Sequence, residues 1–460
     1  MKFQGYSRPD GRVGIRNCVV VIPAIQCANE LAERMAKSVL GVVALRHNFS
    51  CGFLGLDLER SKKSVIGLGA NPNVYGAVVV GLSCEPVPAQ LITDEINKRG
   101  GNAYCVSISD EKTYDDVLDE GIGLLKKLLS QAAQQKRKPC DISKLTVAVR
   151  CGGSGAISAI SSNAATGAAV DRLIGLGATA IFSETAELIG ADAVMAKRCA
   201  TPKVAEKLQK KIDMMLKKIN DYGVDIVGSE PSYGNIKQGL TTIEEKSMGA
   251  IAKTGSTPVI DVLEYADVPQ SGPGLYFMDG SSLSPQLYTG MISAGAQLQL
   301  HSFGGGFCAR SKNLSTYPAN IKIFPVIKIM GSTNDECARD YFDIYAGDII
   351  RGSKSISEIG NEIHNFVLPA PQQLCMLVLV GVFGAVGQIT LTYSFKLAPA
   401  SQVSIFNYSG IIWSTLIGAI FLGEPPKTET IAGGSLIAAA SVIAMTSGAQ
   451  YKKESCDEKQ

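Results

Sequence analysis

Through roughly the first 330 residues, short, largely apolar runs alternate with stretches whose apolar positions recur at helical spacing. Residues 17–24 (NCVVVIPA), 41–45, 74–82 (VYGAVVVGL) and 103–107 read as strands, and residues 26–40 and 89–99 read as amphipathic helices. Runs without polar alternation are buried on both faces, which is the mark of a parallel sheet covered by helices on both sides. The charged stretch 136–144 (KRKPCDISK), broken by Pro139, reads as a linker to a second unit of the same kind. There the strand 145–150 opens into Cys151-Gly152-Gly153-Ser154-Gly155 and a small-residue helix. Strand 179–183 follows, then the long basic helix 202–222 and a helix that runs through Lys253. Strands 258–263, 275–278, 297–301 and 321–329 complete the unit. The expected fold class is α/β, two doubly wound Rossmann-like units with mostly parallel sheets. Ligands of such sheets sit beyond the carboxyl ends of the strands.

The pattern changes after about residue 369. Residues 374–395, 403–422 and 431–447 are almost continuously apolar, and the charges between 369 and 448 are Lys396, Glu424, Lys427 and Glu429. Each run is long enough to cross a bilayer as a helix. The expected divisions are 1–138 and 139–368 for the two α/β domains, 369–448 for three transmembrane-like helices, and 449–460 for a disordered, charged tail.

Composition adds three constraints. Lys+Arg is 44 against Asp+Glu 42, and a net charge of +2 leaves no electrostatic footprint for nucleic acid. Mean hydropathy is +0.14, an excess that sits in the C-terminal runs. The 12 cysteines have irregular spacings and no CxxC pair, which suggests neither a zinc ribbon nor a disulfide framework and fits a reducing compartment. No signal or transit segment precedes the first strand, so the α/β part is expected in the cytoplasm.

Candidate chemistry lies at strand ends and in one loop. Gly239-Leu240-Thr241-Thr242-Ile243-Glu244-Glu245-Lys246 runs from a polar loop into a helix, with Thr241 or Thr242 as N-cap and both glutamates in the first turn. The alternative is an ordinary capping box. His47 and Cys51 follow one strand, and together they suit iron, manganese or zinc; alone, each is an ordinary strand-end residue. Cys84 and Glu85 follow another strand, and Glu184 and Glu187 a third. The Cys151–Gly155 turn is able to cradle an anion with backbone N–H groups, or to serve simply as a tight turn. It lacks the order of a nucleotide fingerprint. The arginines of GYSRPDGRVGIRN, Arg12 and Arg16 among them, suit a carboxylate, or equally a surface network.

Taken together, the blocks GYSRPDGRVGIRN, HNFSCG, GLSCE, RCGGSGAISAISSNAATG, SETAELIGAD, GSEPSYGNIKQGLTTIEEKSMGAIAK and FDIYAG resemble the altronate/galactarate dehydratase family, in collinear order from Gly5 to about Leu368. The resemblance implies a metal-dependent hydro-lyase acting on a small sugar acid, most often with Fe2+ and alternatively with Mn2+. It implies removal of the proton α to a carboxylate and metal stabilisation of the enediolate. The same family includes the sulfolactate sulfo-lyase large subunit, which eliminates sulfite from a sulfo-acid. On this basis His47, Cys51, Cys84 and Glu85 are the expected metal-side residues. Lys246, Glu245 and His47 are the expected acid/base residues. Arg12, Arg16, Glu184, Glu230, Asn235, Thr241 and Thr242 are expected to hold substrate.

Three departures stand out. Full-length sugar-acid dehydratases carry a small β-rich domain before GYxRxDGR, so a separate small β-rich (SAF-type) subunit is an expected partner, besides a homo-oligomer. Phe303-Gly304-Gly305-Gly306-Phe307-Cys308 replaces a threonine/glycine/arginine-rich loop, and residues 313–320 read as an insertion. The stretch 371–447 resembles the last helices of drug/metabolite transporter (EamA-like) proteins, so membrane anchoring is expected if that fusion is genuine. The reading from another class is a transporter-type or anchored component without catalysis.

Overall fold

The computed structural model describes residues 1–109, 111–223, 230–305, 323–333 and 342–368, with scattered residues between 379 and 433. They belong to two units, Met1–Leu368 and Pro369–Gln460.

In the first unit β1 (Lys2–Ser7) pairs antiparallel with β2 (Val13–Gly14). Four strands, β3 (Cys18–Pro23), β4 (Val42–Ala44), β5 (Val74–Gly81) and β6 (Ala103–Ser107), form a wholly parallel sheet in the order β4-β3-β5-β6. The apolar runs become strands because β-branched residues fill them and both faces are covered: Val19, Val20, Val21, Ile22, Val78, Val79 and Val80 are all buried. The stretch read as a linker is instead β7 (Lys138–Asp141), which pairs antiparallel with β1, followed by a short 3-10 turn. Charges along it alternate with one buried thiol. Cys140 lies opposite Phe3, and both side chains enter the core beneath the second sheet.

That second sheet contains β8 (Thr146–Gly152), β9 (Thr179–Phe182), β10 (Val259–Leu263), β11 (Leu275–Met278), β12 (Leu298–Phe303), β13 (Val326–Met330) and β14 (Ile344–Tyr345). All seven are parallel, in the order β10-β11-β9-β8-β12-β13-β14. The chain enters at β8 in the middle, works outward through β9, then returns to β12 on the other side of β8. The point where the winding reverses lies between β8 and β12, and ligands of such sheets bind beyond the carboxyl ends at such a point. Helix Pro202–Asp221 shows how the covering layer forms. Thr201 caps it, proline occupies its first turn, and Val204, Leu208 and Ile212 are buried at a spacing of four.

The two sheets share one core: Val20, Ile22 and Val79 of the first meet Ala148, Ile181 and Tyr276 of the second around helix Ser284–Ser293. Buried asparagines seal the seam. Asn71 Nδ2 donates to the carbonyls of Ile292 and Ala296. Asn73 Nδ2 donates to those of Gln297 and Ile323, and its Oδ1 accepts from the amides of Ile15 and Arg16. Asn73→Ala would strand four backbone groups. At roughly 1 kcal/mol or more per unsatisfied buried group it should cost about 3 kcal/mol or more in a denaturant titration, whereas a loss under 1 kcal/mol would show that water takes over those bonds.

The first unit closes with helix Ile356–Val367, capped by Ser355, which buries Ile359, Ile363 and His364. The three apolar helices expected beyond it lie almost entirely outside the described residues. Among the described residues no helix is long and apolar enough to cross a membrane.

Candidate active site

The carboxyl ends of β8, β9 and β12 hold a cluster of buried charges. Arg150 stands two residues before the end of β8 and donates from Nε (3.2 Å) and Nη2 (3.1 Å) to Oε1 of Glu184, two residues beyond β9. Its guanidinium also lies over the Tyr288 ring, 5.2 Å from the centroid. One turn along from Glu184, Glu187 accepts from Lys253 Nζ at 2.6 Å and lies 3.6 Å from Lys246 Nζ. Lys246 in turn forms a close ion pair with Glu230. The Cys151 thiol donates to Glu187 at 3.6 Å and accepts from Lys253 at 3.3 Å. On β12, His301 Nδ1 meets the Tyr288 hydroxyl at 3.0 Å, and its ring stacks on Phe303. A Cβ on Gly152 would stand 2.9 Å from His301 Nε2, a ring held on two sides, so only glycine fits there.

These contacts set the protonation states. Burial pushes the Glu184 carboxyl up to about 7, with the charge of Glu187 adding to it and Arg150 only partly offsetting it. Burial pushes Glu187 the same way, but Lys253 and Lys246 outweigh it and hold that carboxyl well down. Burial opposes the Lys253 ammonium, and the ionised Glu187 carboxylate bonded to it outweighs that, so the lysine stays charged. Burial raises the Cys151 thiol to about 11, so it is a neutral donor and not a thiolate nucleophile. A pair of acids driven apart in this way is the usual arrangement of acid/base sites.

The chain's three histidines all lie below their ordinary value: His47 at about 4, His301 well down and His364 lowered, each mainly by burial. A depressed histidine favours the fold above pH 6.5, and that contribution is lost as the pH falls through the folded value. Stability should therefore decline from pH 7 toward 4, and His47→Gln should flatten the decline in pH-dependent thermal unfolding; an unchanged slope would contradict the burial of that ring.

Of the residues singled out from sequence, the structure brings Glu184, Glu230 and Lys246 into this cluster. Asn235 borders it, donating from Nδ2 to the Ser154 carbonyl while its Oδ1 caps helix Tyr233–Lys237. Others are engaged elsewhere. Thr242 and Glu245 form the capping box of helix Ile243–Ile251, and the exposed Glu245 carboxylate also binds Thr241. That is the bland reading of the motif. Arg12 pairs with Asp10 and the Ala70 carbonyl and lines a cavity of about 1290 Å³ beside Thr146 and Thr179, at the amino ends of β8 and β9. It faces away from the cluster by the length of a strand. Arg16 is exposed. The buried arginine of that motif is Arg8, which binds Pro72, Asn17, Gln135 and Arg16 and ties the N-terminus down.

The four expected metal-side residues belong to the first sheet, and they do not form a cage. His47 Nε2 is bonded to the Pro23 carbonyl at 2.6 Å and Nδ1 accepts from the Phe49 amide, so neither ring nitrogen is open. Glu85 receives the amides of Leu82 and Ala89. Cys51 and Cys84 are exposed thiols. The nearby cavity between Ala24, Phe49 and Pro86 measures about 20 Å³, room for one water at most. Among the described residues no three His, Cys, Asp or Glu side chains are placed to share an ion. In the second-sheet cluster the carboxylates are paired with Arg150, Lys246 and Lys253. Among the described residues, the four expected ligands as arranged do not fit the metal.

Sequence reasoning missed Arg150, Lys253 and Tyr288. Two signals pointed to them: Arg150 is a charge ending an otherwise apolar strand, and Lys253 follows Lys246 by seven residues, hence on the same helix face.

A buried acid–base network at the reversal point of a parallel sheet defines a catalytic α/β domain. Comparison with known proteins then places the chain: it belongs to the D-galactarate/altronate dehydratase family. The family's C-terminal domain matches residues 142–372 and its second domain residues 5–133. The (2R)-sulfolactate sulfo-lyase subunit beta of Chromohalobacter salexigens is 33% identical over 80% of this chain and 91% of its own length. The altronate dehydratase of Bacillus subtilis is 29% identical over 66% of this chain, which spans 62% of that relative. Residues 361–446 match the EamA-like transporter family. A pseudopaline exporter of Pseudomonas aeruginosa is 36% identical over 17% of the chain, covering 28% of the exporter.

Proposed function

We propose that the protein is a lyase that eliminates water from a sugar acid such as altronate or galactarate. The observation that carries this reading is the Lys246–Glu230 pair beside the buried Glu184 and Glu187, in a chain of the dehydratase family. The proton α to a carboxylate is weakly acidic, so its removal needs a base in reach and positive charge for the enediolate. The Glu230 carboxylate takes the proton, and Lys246 and Arg150 supply the charge. The test is a panel of altronate, galactarate and (2R)-sulfolactate, read as 2-oxo-acid formation and sulfite release. Turnover of either sugar acid supports the proposal; none with either sinks it. Running the panel with and without ferrous iron also reads the metal requirement that the family resemblance implies.

A second reading, the large subunit of a sulfo-lyase, is favoured by the 91% span of the sulfo-lyase relative against 62% of the altronate dehydratase. On that reading sulfite is released only when a small β-rich partner subunit is added. The transporter-like match supports a membrane anchor on the enzyme. Full-length protein should then sediment with membranes while a 1–368 fragment stays in the supernatant; equal partitioning of the two would remove the anchor.

A further inference from the structure

We propose that Glu184 is the general acid of the elimination, sharing one proton with Glu187 and delivering it to the leaving hydroxyl. This rests on the dehydratase reading above and adds to it the group that releases water. Three observations carry it.

The first is the backbone. Glu184 has φ +77°, in the left-handed region that a residue with a side chain seldom adopts. Such strain persists where the surroundings fix a residue in place, and it clusters at functional sites. The second is an unmet oxygen. Arg150 donates from Nε and Nη2 to Oε1, and Oε2 is buried with no N–H or O–H donor against it. The acid beside it is Glu187, buried with it in the 3-10 turn that Glu184 opens. Two adjacent carboxylates out of water do not both ionise, so a proton held between them satisfies the orphaned oxygen.

The third is the asymmetry of charge. Lys253 and Lys246 both bear on Glu187, while Glu184 has Arg150 on a single oxygen. The groups facing Glu184 are Arg150 and the buried Cys151 thiol on β8, Glu187 on its own turn, Lys253 after helix Ile243–Ile251, and Tyr288 on helix Ser284–Ser293. This arrangement leaves the charge on Glu187 and the proton on Glu184.

The chemistry balances. The electrons of the Cα–H bond become the carbon–carbon double bond, and the Cβ–O bond breaks with its pair on oxygen. Glu184 protonates that oxygen, so water leaves rather than hydroxide. The α-proton resides on Glu230. Lys246 touches both Glu230 and Glu187, so it resets the site by giving a proton to Glu187 and taking one from Glu230. The enol left behind becomes the 2-oxo acid. Sulfite, by contrast, departs as a stable anion and needs no such acid.

Two measurements on the full chain test this. Difference infrared spectroscopy should show a protonated carboxylic acid at neutral pH that titrates away as the pH rises and is absent in Glu184→Gln. This readout needs no substrate, and a wild-type protein without that band overturns the proposal. With a sugar acid, Glu184→Gln should lose water elimination by about 10²–10⁴-fold and lose the alkaline limb of the pH profile. Exchange of the α-proton with solvent deuterium should persist within a few-fold. Exchange and elimination falling together, or elimination unchanged, overturns the general-acid role. A band in the wild type with no turnover of either sugar acid would leave the shared proton standing, and would sink both the dehydratase reading and the general-acid role.

Discussion

Lys246→Ala should abolish turnover of the sugar acid, by about 10²–10⁴-fold or more, and leave the protein folded. The lysine lies between Glu187 and Glu230, so its loss removes both the positive charge beside the developing enediolate and the link between the two acids. Its effect on stability is limited by what remains. Glu187 keeps Lys253 at 2.6 Å, and Glu230, with about 15% of its side chain exposed, is able to draw on solvent. The expected loss is roughly 1–2 kcal/mol, within the range of ordinary single substitutions. Glu230→Gln should lose activity comparably, because the carboxylate that receives the proton is gone. Steady-state rates set beside thermal unfolding decide the matter. Full activity in Lys246→Ala would take the residue out of the site.

Most strands of both sheets were readable because each is largely apolar, as in a sheet covered on both faces. What escaped was what tertiary contacts decide. Nothing local marks Lys138–Asp141 as a strand; it pairs because the N-terminal strand comes back to it across the chain. The Thr242/Glu245 capping box was legible, and the same legibility misled, since the carboxylate that looks catalytic is the one the cap uses. Lys246, on the next turn position, points inward instead. His47, Cys84 and Glu85 do lie at strand ends, as a doubly wound sheet invites, but at those of the first sheet. Backbone groups there take up the His47 and Glu85 side chains. Which of two similar sheets carries the site depends on where charges are buried together, and that is a property of the folded chain.

Lys253→Met should be the most destabilising change in the cluster. It leaves Glu187 buried with the neutral Cys151 thiol and Lys246, at 3.6 Å, in place of a cation at 2.6 Å. Removing one member of a buried ion pair costs about 3–5 kcal/mol, because the remaining charge is left without compensation. Most of that should return in the double variant Lys253→Met/Glu187→Gln, which removes the orphaned charge as well, while activity stays lost. The double variant therefore separates a requirement for the charge pair from a requirement for packing. The pH dependence has a definite sign. Glu187 is held below the ordinary carboxylate value of 4.5, so its contribution is present above that value and is lost as the pH falls through the folded value. Without Lys253 the carboxyl rises, so the gap in stability between wild type and Lys253→Met should narrow as the pH drops below about 4.5. Chemical denaturation at a series of pH values measures it. A gap that stays constant would mean that Lys253 stabilises the fold through packing alone.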